Sequence, residues 1–151
     1  MNIRFQRTWR HGIAGLCVGM QAVGGGLFAA GSSHAETRVW LTVGERRMAV
    51  TLADTEAARA FAARLPLTLD MTDLHRNEKK VDLPAALPAN PSRPGTIRNG
   101  DLLLYGSNTV VLFYMTFESP YAYTRLGRVD DPEGLAQLLG PQQVRAAFAR
   151  N

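Results

Sequence analysis

The sequence predicts a mainly β fold: a closed or nearly closed antiparallel barrel with two short capping helices. Three observations predict it. Short segments of alternating apolar residues recur from residue 38 to the C-terminus, bounded by Gly, Pro, Asn and Asp. The turns between them are short, which favours sequential antiparallel pairing. Eight or nine such strands leave exposed edges unless the sheet closes on itself.

Val39, Leu41 and Val43 alternate, Gly44-Glu45 turns the chain, and Met48, Val50 and Leu52 alternate again. This is a hairpin with one buried face. Asp54-Thr55 offers a helix N-cap, with Glu56 in the first turn, where the helix dipole favours an acid. Ala57, Ala58, Phe61 and Leu65 form a stripe at helical spacing, and Pro66 stops the helix. Leu67, Leu69 and Met71 alternate with Thr68, Asp70 and Thr72 as a third strand. Asp73 to Lys80 reads as a polar loop leading into a short strand, Lys80 to Leu83. Pro84, Pro88, Pro91 and Pro94 exclude a helix or a central strand and predict a long ordered surface loop.

Thr96-Ile97 resumes a strand, and Asn99-Gly100 signals a hairpin. Leu102 to Tyr105 and Thr109 to Phe117 are the most strand-like segments, joined through Gly106-Ser107-Asn108. The nearly continuous apolar run Val110 to Met115 predicts a central strand covered on both faces. After Pro120, Tyr121, Tyr123 and Arg125 are predicted to line one face of a strand, with Ala122, Thr124 and Leu126 on the other. Asp131 is predicted to cap a second helix, with Pro132 at its first position, Leu135, Leu138 and Leu139 on its inner face, and Gly140 at its end. Val144, Ala146 and Phe148 make the last strand.

The chain has 151 residues, with 17 Lys+Arg, 13 Asp+Glu, one Cys and a net charge of +4. Arg4, Arg7 and Arg10 precede an uncharged apolar stretch, Ile13 to Ala30, and Ser33-His34-Ala35 ends it with small residues at the positions a signal peptidase reads. Residues 1–35 therefore read as a secretory signal peptide, the alternative being an uncleaved membrane anchor. Residues 36–151 then form one domain carrying 14 basic and 13 acidic residues, a net of +1. The only Cys, Cys17, leaves with the leader, so the domain has neither disulfides nor thiol chemistry. The expected location is periplasmic or secreted, with no membrane association after cleavage.

Several pieces occur in a fixed order: Leu65-Pro66-Leu67-Thr68-Leu69; Pro94-Gly95-Thr96-Ile97 through Gly100-Asp101; Leu104-Tyr105-Gly106-Ser107-Asn108; Leu112-Phe113-Tyr114; and Tyr123-Thr124-Arg125-Leu126-Gly127-Arg128-Val129-Asp130-Asp131-Pro132-Glu133-Gly134-Leu135. Together they resemble the small bacterial cyclophilin-like family, a divergent, minimal version of the cyclophilin barrel, over nearly all of residues 38–149. The resemblance implies the barrel. Full-size cyclophilins are prolyl isomerases, in which a strand arginine polarises the amide and Phe, Trp and His form the proline pocket. Here the strand that would carry Phe-x-Arg reads Glu78-Lys79-Lys80-Val81-Asp82-Leu83, without an arginine. Beyond the leader, the one Trp, Trp40, lies in the first strand, and the one His, His75, in a loop before the relevant strand. The catalytic set does not carry over residue by residue.

The remaining chemistry is narrow. One His and no Cys exclude a structural zinc, and no metal or cofactor is expected. Asp130, Asp131 and Glu133 read as caps that complement a helix dipole. Ser107 lacks a nucleophile elbow and a placed base. Arg46-Arg47 and Lys79-Lys80 read as solvated pairs, and a net of +1 gives no field to hold nucleic acid. The aromatic residues carry the functional expectation. Phe113, Tyr114, Tyr121, Tyr123 and Arg125 are the expected ligand-binding residues, a groove of rings and a guanidinium suited to a peptide or small molecule. The expected function is an exported binding module. The alternative is a prolyl isomerase with a non-standard site, in which Arg98 or Arg125 polarises the amide.

Overall fold

The computed structural model describes residues 35–151; the predicted leader lies outside them except for Ala35. Ten strands and two helices follow in order: β1 (Arg38–Val43), β2 (Arg46–Leu52), α1 (Glu56–Ala63), β3 (Leu67–Leu74), β4 (Glu78–Asp82), β5 (Gly95–Ile97), β6 (Asp101–Tyr105), β7 (Thr109–Phe113), β8 (Phe117–Ser119), β9 (Thr124–Val129), α2 (Leu135–Leu139) and β10 (Val144–Ala149). Eight of the strands close a barrel in the order β1-β10-β3-β4-β7-β6-β9-β2. Each of these neighbours pairs antiparallel.

Strand alternation fills the barrel. Val39, Leu41, Val50, Met71, Leu102, Leu104, Val110, Leu112, Leu126 and Phe148 point inward and are fully or almost fully buried. Burying each such side chain contributes roughly 1.5–3 kcal/mol. Helix α1 closes one end: the Phe61 ring meets Phe148 edge-on at 5.4 Å. The Thr55 hydroxyl caps α1 by accepting the Ala58 amide at 3.0 Å. Helix α2 buries Leu135 and Leu139 at the opposite end.

A second apolar layer lies outside the barrel. Strands β5 and β8 pair with each other and cover the outer face of β6 and β7. Ile97 and Phe117 pack on Leu103, Val111, Phe113 and Tyr123. Strands β6 and β7 are therefore buried on both faces, as their near-continuous apolar sequence requires. The proline-rich loop is tied down: Leu83 and Leu87 donate to Asn108 O and Ser107 O, and the Arg64 guanidinium donates to Ala85 O and Ala86 O.

Several local expectations are corrected. Strand β4 begins two residues earlier than Lys80, because a tight turn at His75-Arg76 reverses the chain at once. Asn99-Gly100 turns β5 towards β6, yet β5 pairs with β8 and makes no hairpin there. The segment from Thr109 to Phe117 is not one strand. It leaves the barrel after Phe113 so that Phe117–Ser119 can cross the outer face. Tyr121 lies outside any strand, and Tyr123 makes only an isolated bridge to Ser92, since Pro120 has no N–H to continue a ladder. Asp131 does not cap α2. It accepts the Glu133 amide in a preceding turn, and the N-cap is Gly134 in the left-handed region. Lys79 is not solvated but fully buried.

Candidate functional site

The cleft lies on the outer face of the barrel and follows from strand register. On β4, Glu78, Lys80 and Asp82 point outward, opposite Phe113, Val111 and Thr109 of β7. On β6, Leu103 and Tyr105 continue the rows from Val111 and Thr109. The end of β8 and the chain after it then fold over this face and bring Ser119, Pro120, Tyr121 and Tyr123 above it. A cleft of about 460 Å³ remains between the two layers. That size suits a small ligand or a few peptide residues.

Three tyrosines wall the cleft. The Tyr105 ring stands edge-on to Tyr121, 6.2 Å between centroids, and tilted to Tyr123 at 5.7 Å. Tyr123 in turn meets Phe113 edge-on at 5.6 Å. Tyr105 is 48% and Tyr121 58% exposed, unusual for large rings on a small domain. Tyr123 is buried, and burial pushes its phenol up, against a lowering influence of the Ser119 side chain. Opposite the rings, Glu78 is half-buried. Burial pushes its carboxyl above the ordinary carboxylate range, against the lowering influence of His75 and Lys80. Asp82 accepts a hydrogen bond from Thr109, and Glu118 accepts one from Thr96.

Only some of the expected residues meet here. Tyr121 and Tyr123 line the cleft directly. Phe113 is completely buried beneath Tyr123 and supports it. Tyr114 points the other way, into the barrel, where its hydroxyl bonds the Asp73 carboxylate. Consecutive strand residues face opposite sides, so Phe113 and Tyr114 cannot share a groove. Arg125 sits on β9, beyond β6, and lines a different depression. Arg98 and Arg125 both lie by Asp101: the Arg98 amide donates to Asp101 Oδ2 at 2.9 Å, and Arg125 Nη1 is 3.8 Å from Asp101 Oδ1. The Trp40 indole is on β1, covered by the Arg47 guanidinium at 4.1 Å. His75 does line the cleft, at the turn into β4.

Tyr105, Glu78 and Lys80 were not anticipated. Their signal was the outward parity of β4 and β6, legible only once those strands are paired with β7. The depression containing Arg125 is larger, about 1070 Å³, but no aromatic residue lines it. Its arginines are largely matched by acids, as in the Arg38–Asp130 pair at 3.1 Å. The tyrosine cleft is the better candidate because it combines exposed rings with a half-buried acid. Among the described residues, no group of three His, Cys, Asp or Glu side chains is placed to hold a metal ion.

A closed eight-stranded antiparallel barrel, with a helix at each end and an aromatic cleft on its outer face, defines a cyclophilin-like domain. The model of the Cyclophilin-like family matches residues 41–149, and the chain belongs to that family. Among solved structures, the chain is similar to the solution structure of a hypothetical protein from Archaeoglobus fulgidus. The two are 18% identical with a TM-score of 0.53, over 80% of this chain and 99% of the other. That likeness concerns the fold alone. No curated protein matches the chain.

Proposed function

We propose that this chain is an exported binding module that holds a small molecule or a short peptide in the tyrosine cleft. The observation that carries the reading is the pair of exposed rings, Tyr105 and Tyr121, set at a right angle over a cleft of about 460 Å³. Exposed aromatic side chains cost solubility and concentrate where something binds. Export rests on Arg4, Arg7 and Arg10 before an uncharged apolar stretch that ends at Ala35. A net charge of +1 beyond the leader argues against nucleic acid as the partner.

The isomerase alternative needs a cation to polarise a twisting amide. No arginine is among the residues lining the cleft; its only basic side chains are Lys80 and His75. An isomer-specific proteolysis assay on an X-Pro peptide separates the two readings. The binding module predicts no acceleration at high protein concentration. Acceleration that Lys80→Ala abolishes would establish the isomerase instead. A fragment titration followed by amide chemical shifts tests binding itself. Ligands are expected to move the amides of Tyr105, Tyr121 and Tyr123, and ligands that bind only elsewhere would overturn the reading.

A further inference from the structure

We propose that the ligand of this cleft is a small organic ammonium ion, recognised by the three tyrosine rings and the carboxylates facing them. The inference rests on the binding-module reading and adds the chemical class of the ligand. It is carried by the combination of ring geometry and charge balance.

Tyr105, Tyr121 and Tyr123 do not stack. Their rings are edge-on or tilted, so they form walls at angles to one another rather than one flat platform. An aromatic face carries negative quadrupole density and attracts a cation within about 6 Å. Walls at an angle can present several such faces to one centre. Alkyl groups on the cation also gain from the apolar floor that Val111 and Phe117 provide.

The charge balance favours the same occupant. Glu78, Asp82 and Glu118 line the cleft, against Lys80 and the imidazole of His75. Three carboxylates outnumber the single lysine ammonium and the imidazole together. This excess of negative charge sits on a domain whose charges otherwise nearly cancel. An anionic ligand would meet three carboxylates, whereas a neutral apolar ligand would leave Glu78 desolvated without a counter-charge.

The test is an amide chemical-shift titration of the full chain at fixed ionic strength. Choline is compared with 3,3-dimethylbutan-1-ol, its neutral isostere, and with an Ala-Pro peptide. Choline is expected to shift Tyr105, Tyr121 and Tyr123 saturably and to bind roughly five- to tenfold tighter than the alcohol. Glu78→Gln should weaken choline several-fold and leave the alcohol unchanged, while Tyr121→Ala should weaken both. Both side chains are at the surface of the cleft, and the spectrum of each variant reports its folding directly. Equal affinity for choline and the alcohol, or choline binding untouched by both substitutions, overturns the ammonium assignment. If only the alcohol or the peptide moves the cleft amides, the ammonium ligand is rejected and the binding module stands. If none of the three moves them, both readings fall.

Discussion

Lys79 Nζ lies 2.8 Å from Asp73 Oδ1 inside the barrel, with the Lys79 side chain completely buried and Asp73 14% exposed. Register explains the burial. Lys79 stands opposite Asp73 on β3 and opposite the core residue Leu112 on β7, so its side chain must enter the barrel. There its three ammonium protons are all used: Nζ donates to Asp73 and, at 2.6 Å each, to the carbonyls of Gly140 and Gln142. Tyr114 completes the group by donating its hydroxyl to Asp73. The cluster ties β3, β4 and β7 to the loop between α2 and β10.

Lys79→Met should therefore be among the most damaging single changes in the domain. It leaves the Asp73 charge without its partner and two carbonyls without donors. The expected cost is about 3–5 kcal/mol in urea unfolding, a large share of the stability of a small domain. Adding Asp73→Asn in the same chain should recover part of that loss, because the uncompensated charge goes with it. A Lys79→Met variant as stable as the parent would contradict this account of the barrel end.

The same cluster sets a pH dependence. Burial works against the Asp73 charge. Hydrogen bonds from Lys79, Tyr114 and the Arg76 amide, with the Lys79 charge, outweigh it and hold the carboxyl below its ordinary 3.8. A lowered folded value means a contribution that is complete above the unfolded value and lost as pH falls through the folded one. The Asp73 contribution to stability should thus be flat from neutral pH down to about pH 5 and fall below ~4. Asp73→Asn should start lower and lose less over that acid range, as read from urea midpoints at each pH.

How far the sequence reaches is visible in these residues. Thr55, the β1–β2 alternation and the two-faced burial of Val110 to Phe113 depend on neighbours within a few positions, and they were legible. Lys79 was not. In sequence it is half of a basic pair, and its burial is decided by Asp73, Leu112 and Gly140 across three other segments. The site divides in the same way. Tyr121 and Tyr123 announced themselves as aromatic residues near a proline. Glu78 and Tyr105 became site residues only because β4 and β6 flank β7. Arg125 shares their sequence parity but lies on β9, one strand too far.

The turn before β4 is strained. His75 and Arg76 have φ of 55° and 56°, and Asn77 N bonds Leu74 O, the geometry of a type I′ turn without its usual glycine. Holding an ordinary residue in the left-handed region costs about 1 kcal/mol or more. Arg76→Gly should stabilise the domain by roughly 0.5 kcal/mol, since glycine's larger unfolded entropy takes back part of the relief. A drop in Tm would mean that the Arg76 side chain matters more than its backbone.

Gly127 marks a tight seam of the barrel. A Cβ there would lie 2.5 Å from Thr51 O and 3.1 Å from Leu52 Cα, both backbone atoms of β2. Neither can move without opening the β2–β9 pairing. Gly127→Ala should cost about 1–3 kcal/mol. Gly106→Ala is the control. Its φ is +59° but nothing lies within 4 Å, so only the backbone penalty of about 1 kcal/mol applies. Equal losses in the two variants would show that the seam is looser than its geometry.

Glu78 links stability to the cleft. Burial holds its carboxyl above the ordinary value of 4.5, so keeping it ionised at neutral pH costs the folded state. The sign is opposite to that of Asp73. As pH falls, the folded form takes up its proton first, and the penalty vanishes below the unfolded value. Glu78→Gln should accordingly raise stability by roughly 0.5 kcal/mol at pH 7, and the gain should disappear near pH 4. The same variant should bind ammonium ligands less well. A residue that is unfavourable for folding yet needed for binding is the usual signature of a functional position. If Glu78→Gln destabilises the domain at pH 7, the carboxylate is instead held by structural contacts, and its placement in the cleft has no cost to explain.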